Sequence, residues 1–217
     1  MGRWLAILLL LPACGGSRPA AVPPPARASA APPWSTGEQR AMIAALRDGG
    51  YVLYFLHAAT DASAREGANV MVEDCSTQRG LSVLGQKQAQ AIGRAFARLQ
   101  IPVGEVRSSP YCRCADTARL AFGYLLLDDD LSPLSDSNGR ARIAALQRLL
   151  ATPPLPGKNT VLVGHGDAIA DVSGMALEEG EAAIIKPAPA GGSYRVLGRI
   201  RAEQWDAVAD RAAGRAG

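Results

Sequence analysis

The sequence contains two histidines, and each directly follows a short apolar run. His57 follows Tyr51–Leu56 (YVLYFL), and His165 follows Thr160–Gly164 (TVLVG). Short unbroken apolar runs bounded by turn residues are typical of strands buried on both faces. Open α/β sheets bind ligands at the carboxyl ends of such strands. If the two strands are parallel neighbours, both imidazoles open onto one crevice. Such a pair favours a functional site over two histidines with purely structural roles.

Two arginines lie close to predicted helix starts. Arg79 precedes Ser82, the predicted N-cap of a long helix, and Arg113 lies in the first turn of a helix predicted from Tyr111 to Phe122. Helix N-termini favour anions, and a guanidinium beside one can bind two phosphate oxygens. Either arginine alone would be interpreted as a solvated helix residue or a surface ion pair. Together with two histidines, they predict a phosphoryl-transfer pocket.

Strands and helices alternate around these residues, which predicts a three-layer α/β/α sandwich with a mostly parallel central sheet. The helix capped by Ser82 is predicted to turn Leu84, Ala91, Ile92, Ala95, Phe96 and Leu99 inward. The other predicted elements are a helix opened by Ser35, strands at Gly104–Arg107, Ala182–Lys186 and Tyr194–Ile200, and helices at Arg140–Leu150, Ala168–Met175 and Ala202–Ala213. Ala58–Gly80 and Leu125–Asn138 show little pattern and are expected to form the pocket walls.

The chain before residue 35 is expected to lie outside the fold. Residues 1–13 have the positive start and apolar stretch of a signal peptide, and Leu11–Cys14 (LPAC) resembles the lipobox of bacterial lipoproteins. That resemblance implies lipidation at Cys14, a Pro/Ala-rich tether at 14–34, and a domain at 35–217. We expect an exported, lipid-anchored protein of the bacterial cell envelope, facing the periplasm at the outer membrane. The alternative is an ordinary secretory signal with a stray cysteine.

The composition excludes some classes of protein. At 48% hydrophobic and 20% charged residues, the chain can bury a core and is not disordered. Its formal net charge of +3 is too small to argue for nucleic acid or an anionic membrane surface as a partner. Membrane contact is therefore expected through the lipid anchor only, and no expectation about oligomeric state follows.

Four sequence blocks resemble the histidine phosphatase superfamily, which includes phosphoglycerate-mutase-like enzymes and small phosphohistidine phosphatases. They are YFLHAAT, RGLSVLG, SSPYCRCADTA and VLVGHGD, and they occur in the family's order from about Gly50 to the C-terminus. The resemblance implies a phosphoglycerate-mutase-like fold with His57 as the nucleophile that becomes phosphohistidine. It also implies that Arg79 and Arg113 hold phosphate oxygens, and that His165 hydrogen-bonds the phosphoryl group. No cofactor or metal is expected, because arginines and imidazoles supply the charge stabilisation.

Leu56 is the main departure from the family's pattern. The family's first motif is Arg-His-Gly, whereas this chain has Leu56, His57 and Ala58. The leucine removes an arginine that clamps the phosphate, and losing one transition-state donor typically costs ~10²–10³ in rate. Arg65 is a possible substitute cation. The leading hypothesis is a phosphohydrolase acting on a small phosphorylated substrate or an envelope phosphoglycan. The alternatives are a pseudophosphatase that binds phosphate-bearing ligands and, less favoured, an envelope structural protein without a ligand.

The sequence leaves the general acid open. Asp167 lies two residues after His165, near the position where one branch of the family carries an aspartate. Asp61 and Glu181 are rivals, and a carboxylate in any of these three places is more often a solvated loop residue.

Three cysteines besides Cys14 remain to be placed. An oxidising compartment would close one pair, and Cys112 and Cys114 are too close along the chain to bridge each other easily. Related lipoproteins carry cysteines at the positions of Cys75 and Cys112, and this resemblance implies that these two form the disulfide. A zinc site is disfavoured, because the cysteines and histidines lack the usual ligand spacing.

Overall fold

The structure, a computed structural model, describes residues 36–67, 69–134 and 138–212. Its strands are β1 (Val52–Leu56), β2 (Val103–Ser108), β3 (Leu126–Leu127), β4 (Asn159–Gly164), β5 (Ala182–Pro187) and β6 (Tyr194–Ile200). Its helices are α1 (Thr36–Asp48), α2 (Val83–Leu99), α3 (Cys112–Phe122), α4 (Gly139–Ala151), α5 (Gly166–Ser173) and α6 (Ala202–Ala212). The expected signal peptide, the lipidation site Cys14, the tether and the helix-opening Ser35 lie outside the described residues.

The strands form one six-stranded sheet in the order β3-β2-β4-β1-β5-β6. β1 is parallel to β4 on one side and antiparallel to β5 on the other. β2 is parallel to β4 and to β3, and β6 is antiparallel to β5. The sheet is therefore mixed but mostly parallel, as the sequence predicted. In the β1–β4 register Leu56 lies opposite Gly164, so the two histidines that follow these strands emerge side by side.

Helices cover both faces of the sheet. Side chains along β1 alternate between the two faces and join a separate apolar cluster on each. Leu53 and Phe55 join the cluster formed with α1, α2, α3 and α6, in which Trp205 is fully buried. Val52 and Tyr54 join the cluster formed with α4 and α5. These three layers are the α/β/α sandwich predicted from the sequence. Within the described residues, no helix is both long and apolar enough to cross a membrane.

The start of α2 corrects one prediction. Ser82 caps the helix as expected, since its hydroxyl accepts a hydrogen bond from Gly85 N at 3.0 Å. Leu84, however, does not face the core and is 61% exposed, whereas Gly85 and Ala89 are buried. The helix packs backbone against backbone here, and a Cβ on Gly85 would lie 1.9 Å from Ala59 O. The first turn of α2 is thus turned toward the loop after His57 instead of the core.

Two other differences concern the first residue of a helix and a strand that was not predicted. α5 begins at Gly166, directly after His165, and not at Ala168. β3 was not predicted, because it has two residues and both leucines are exposed, so it carries no apolar periodicity.

Candidate active site

His57 and His165 lie together at the carboxyl ends of β1 and β4. Their ring centroids are 5.7 Å apart and the rings are nearly perpendicular. Both residues are buried. The parallel pairing of the two strands therefore brings the only two histidines of the sequence into one site.

The His57 ring is oriented through Nδ1. This nitrogen lies 3.0 Å from Ala58 O, a carbonyl that can only accept, so Nδ1 carries the proton and Nε2 keeps a free lone pair. Burial lowers the pKa of His57 below its usual 6.5, and the charges of Arg113 and Arg79 lower it further. The ring is neutral at physiological pH, which is the state that a nitrogen nucleophile requires.

The backbone of His165 is held from the neighbouring strand. Tyr54 OH donates a hydrogen bond to His165 O at 2.9 Å. The tyrosine hydroxyl occupies the space beside Gly164, where an added Cβ would lie 2.2 Å from it. Gly164 and Tyr54 thus fit each other, and their contact fixes the point at which the second histidine leaves the sheet.

Arg113 lies in the first turn of α3 and points into the site. Its Nη2 lies 3.4 Å from His165 Nδ1, and its guanidinium lies 4.9 Å from the centre of the Tyr111 ring. Its Nη1 forms an ion pair with Glu66 in the loop after β1. Burial, the charge of Arg113 and the nearby His57 and Arg142 lower the pKa of His165 to about 2, so this ring is also neutral.

Arg79 lies close enough to His57 for its charge to lower the pKa of that ring. Its Nε is buried and has no hydrogen-bond partner among the described residues, and the same is true of Arg113 Nε. Buried guanidinium donors without a protein acceptor are suited to bind an anion. The structure thus brings together His57, His165, Arg113 and Arg79, the four residues that the sequence blocks indicated.

Leu56 lies beside the start of α5. It is 8% exposed, and a Cβ placed on Gly166 would be 3.6 Å from Leu56 Cδ2. An apolar side chain therefore lies next to the two histidines, at the position where the sequence resemblance implied that related proteins carry an arginine. Arg65, considered as a substitute cation, is exposed in the loop after β1.

The loop after β1 is fastened to α3 at two points. Cys75 and Cys112 form a disulfide that closes a separation of 37 residues, the pairing implied by the family resemblance. Gln78, which sequence reasoning did not single out, accepts a hydrogen bond from Cys112 N at 2.9 Å and donates to Met71 O and Val72 O. These links hold the segment that carries Arg79 against the helix that carries Arg113.

The structure does not bring the three candidate acids into contact with the histidines. The Asp167 carboxylate accepts hydrogen bonds from Leu134 N and Ala168 N. Asp61 binds Ser63 in an exposed turn. Glu181 is buried and faces Arg199 at 3.4 Å, which is a structural ion pair.

Two other glutamates contact the site instead. Glu66 binds Arg113, and Glu179 Oε1 lies 4.0 Å from His57 Nδ1 while the same carboxylate accepts hydrogen bonds from Thr60. Glu179 precedes β5, and the antiparallel β1–β5 pairing places it beside the residues that follow β1. That pairing was the signal that could have indicated it. Within the described ranges, no group of three or more histidine, cysteine, aspartate or glutamate side chains is arranged to hold a metal ion.

No protein-family model and no curated protein matches the chain. Solved structures do share its fold. The protein histidine phosphatase SixA complexed with tungstate has a TM-score of 0.51 at 15% identity, over 71% of this chain and 98% of that one. A mycobacterial glucosyl-3-phosphoglycerate phosphatase complexed with VO3 has a TM-score of 0.51 at 17% identity, over 69% and 98%. A protein described as mycobacterial hydrolase 1 has a TM-score of 0.52 at 18% identity, over 68% and 96%. The chain therefore has a phosphoglycerate-mutase-like α/β fold, as the sequence predicted, and shares it with these solved structures.

Proposed function

We propose that this chain is a phosphohydrolase that uses His57 as a covalent nucleophile on a phosphomonoester or a similar substrate. One observation carries the proposal. The neutral His57 ring, with Nδ1 bound to Ala58 O, has its Nε2 lone pair free in a site that also holds His165 and Arg113. A nitrogen nucleophile beside fixed cationic and imidazole donors is suited to in-line displacement at phosphorus.

In the first step, the Nε2 lone pair of His57 forms a bond to phosphorus while the bond from phosphorus to the leaving oxygen breaks. The leaving oxygen keeps the electron pair and takes up a proton. Arg79, Arg113 and His165 bind the phosphoryl oxygens, whose charge they stabilise in the transition state. Glu179, near Nδ1, stabilises the positive charge that the His57 ring acquires.

In the second step, the oxygen of a water molecule attacks phosphorus and loses a proton to the Glu66 carboxylate that the first step left behind. The phosphorus–nitrogen bond breaks, its electron pair returns to Nε2, and inorganic phosphate leaves. The chain supplies all the groups for both steps, and no metal or cofactor takes part.

The proton for the leaving group is assigned to Glu66 in its protonated form, after the incoming phosphoryl group has displaced the side chain from Arg113. Its carboxylate is bound to Arg113, one of the proposed phosphate ligands, whereas the Asp167 carboxylate is bound to backbone amides of Leu134 and Ala168. An acid placed beside the phosphate can reach the leaving oxygen. Glu66 therefore replaces Asp167 as the candidate general acid.

We assign the reaction to the bacterial cell envelope, with Cys14 lipidated and residues 14–34 acting as a tether. The order of charged start, apolar stretch and cysteine in the first fourteen residues supports this assignment. The disulfide also suits an oxidising compartment. The substrate is then a small phosphorylated molecule or an envelope phosphoglycan.

A second candidate function is a pseudophosphatase that binds phosphate-bearing ligands without useful turnover. The observation that favours it is Leu56, which places an apolar side chain next to the nucleophile. Such a protein would keep the phosphate-binding residues and lose most of the transition-state stabilisation.

Intact-mass measurement after incubation with acetyl phosphate distinguishes the two functions. The proposed phosphohydrolase gains one acid-labile phosphoryl group, and His57→Ala abolishes both this gain and the hydrolysis of an aryl phosphate. Hydrolysis of the aryl phosphate that survives in His57→Ala would rule out His57 as the nucleophile. Phosphate binding without phosphorylation or hydrolysis would favour the pseudophosphatase.

A further inference from the structure

The His165 ring has polar neighbours at both nitrogens. Nδ1 faces Arg113 Nη2 at 3.4 Å, and Nε2 faces Ser109 Oγ at 3.0 Å and Cys114 Sγ at 3.5 Å. The ring is buried and neutral, so it carries one N–H. Which nitrogen carries that proton decides whether the ring can donate a hydrogen bond to a phosphoryl oxygen.

The surroundings of Ser109 indicate where its own proton points. Tyr111 N donates a hydrogen bond to Ser109 Oγ at 3.3 Å, which leaves the hydroxyl proton to find an acceptor. Ser109 is fully buried, and its oxygen lies 3.0 Å from His165 Nε2. A buried hydroxyl that finds no acceptor is costly, and the ring nitrogen is a stronger acceptor for this proton than the Cys114 sulfur, which also contacts Ser109.

The neighbouring thiol agrees with this direction. Cys114 is fully buried, and its Sγ lies 3.5 Å from Gly164 O, a carbonyl to which the thiol can donate. With the Cys114 proton directed at Gly164 O, the Ser109 proton can point to Nε2 when the His165 proton is on Nδ1. In this arrangement each of the two buried protons has an oxygen or nitrogen acceptor.

We infer that Ser109 is a positioning residue that donates to His165 Nε2 and thereby keeps the His165 proton on Nδ1 when a phosphoryl group is bound. The inference rests on the proposed function, because the phosphoryl group is the ligand that Nδ1 faces. Arg113 Nη2, which can only donate, lies 3.4 Å from Nδ1, so in the structure its N–H faces the lone pair of this nitrogen. A phosphoryl oxygen that takes over the arginine's N–H removes this donor from Nδ1, and Nδ1–H and Nη2–H can then donate to the same oxygen.

The opposite tautomer would weaken the transition state. An Nδ1 lone pair would face the phosphoryl oxygen, and two acceptors repel each other. An imidazole held in the wrong tautomer can cost several powers of ten in rate, as in serine proteases. Because Arg113 and Arg79 would still bind phosphate, we expect Ser109→Ala to lower kcat by about 10-fold or more while KM changes by less than about 3-fold.

The test is NMR spectroscopy of the imidazole nitrogens in the full-length chain, labelled with ¹⁵N-histidine and saturated with inorganic phosphate. The sequence has two histidines, so the spectrum contains two rings, and His57→Gln assigns them. We expect His165 to show a protonated Nδ1 and a bare Nε2. Ser109→Ala should shift His165 to the other tautomer, whereas Ser109→Thr, which keeps the hydroxyl, should restore the wild-type pattern.

Ser108→Ala is the matched control. Ser108 is an equally buried serine one residue earlier, but its hydroxyl donates to Ser109 O at 2.9 Å and not to the ring. Ser108→Ala should therefore leave the His165 tautomer unchanged. If Ser109→Ala does not fold, the wild-type spectrum decides alone.

A wild-type His165 that is protonated on Nε2, or on both nitrogens, overturns the inference. So does an unchanged tautomer in folded Ser109→Ala. A chain that does not bind phosphate overturns both the inference and the proposed function. A protonated Nδ1 in a chain that binds phosphate but never forms phosphohistidine supports the inference and contradicts only the proposed chemistry.

Discussion

The Glu66 carboxylate forms an ion pair with the Arg113 guanidinium, through Oε1 and Nη1. Arg113 is buried, whereas the Glu66 side chain is 38% exposed, so the glutamate can leave more readily than the arginine. A phosphoryl group that binds Arg113 must compete with this carboxylate. The charge of Arg113, the proposed phosphate-binding residue, is therefore neutralised by a carboxylate from the loop after β1.

Glu66→Gln should separate the two roles proposed for this residue. Removing the competing charge should tighten inorganic phosphate binding by about 2- to 5-fold, the range of a partly exposed ion pair. Removing the acid should lower kcat for an alkyl phosphate by about 10²-fold while changing kcat for an activated aryl phosphate much less. Calorimetry and steady-state kinetics measure the two effects.

Glu73→Gln, an exposed glutamate in the same loop, is the control for the loss of one negative charge. Weaker phosphate binding in Glu66→Gln would show that Glu66 supports the anion site. Equal losses of kcat on both substrates would argue against its role as the acid.

Leu56→Arg should add a further cation beside His57, to which Arg113 and Arg79 are already close. We expect kcat for an aryl phosphate to rise by about 10-fold or more, since a charged hydrogen bond in the transition state is worth at least that much. Leu56→Met, which keeps an apolar side chain of similar volume, should leave kcat near the wild-type value. A fast wild type that Leu56→Arg does not improve would indicate that another cation already serves this position.

The unfolding free energy should fall as the pH is lowered below 6.5. The pKa of His165 is about 2 in the folded protein and 6.5 in the unfolded chain, so the unfolded chain binds one more proton in that interval. Each such proton lowers the unfolding free energy by up to about 1.4 kcal/mol per pH unit. His57, whose pKa is also lowered, acts in the same direction.

Urea unfolding at a series of pH values between about 7 and 5.5 measures this slope. His165→Asn should flatten it by about one proton, because the asparagine cannot titrate. A slope that is the same in the wild type and in His165→Asn would show that the folded protein protonates this ring at ordinary pH.

Much of the architecture could be predicted from the sequence, and the reason is visible in β1. Its unbroken apolar run is buried on both faces, which made it recognisable as a central strand, and the same was true of β4. Once β1 and β4 are assumed to be parallel neighbours, the two histidines that follow them are predicted to lie side by side, as they do in the structure.

The carboxylates could not be placed in this way. Glu179 reaches His57 only because β5 runs antiparallel to β1, and Glu66 reaches Arg113 only because a loop without periodicity folds back onto α3. Leu84 was misplaced because apolar spacing cannot show that a glycine one residue later will pack backbone against backbone. Residues that depend on loop paths or close backbone contacts leave little pattern in a sequence.

The disulfide should contribute both to stability and to phosphate binding. A Cys75–Cys112 bridge over 37 residues contributes on the order of 3–4 kcal/mol in the chain-entropy model. We expect Cys75→Ser to lower the unfolding free energy by about that amount, and to weaken phosphate binding because the loop with Arg79 is freed from α3. Urea unfolding and calorimetry measure both effects.

Cys112→Ser, which removes the same bridge from its other end, should have the same effects as Cys75→Ser. Non-reducing peptide mapping that finds Cys75 free, or bonded to Cys114, would contradict the pairing.

Lipidation should depend on Cys14. Metabolic labelling with a palmitate analogue should mark the wild type and not Cys14→Ser, because only the cysteine can take the lipid at this position. Fractionation should then find the wild type with membranes and the variant released from them. Equal labelling of both chains, or of neither, would contradict the proposed anchor.

The contact between Tyr54 and Gly164 has a consequence for how this protein can evolve. The tyrosine hydroxyl holds His165 O and fills the space in which a side chain at position 164 would stand. A larger residue at position 164 is therefore tolerated only after position 54 has lost its hydroxyl, and the loss of that hydroxyl releases the second histidine. Among proteins that descend from this chain, positions 54 and 164 should therefore change together or not at all.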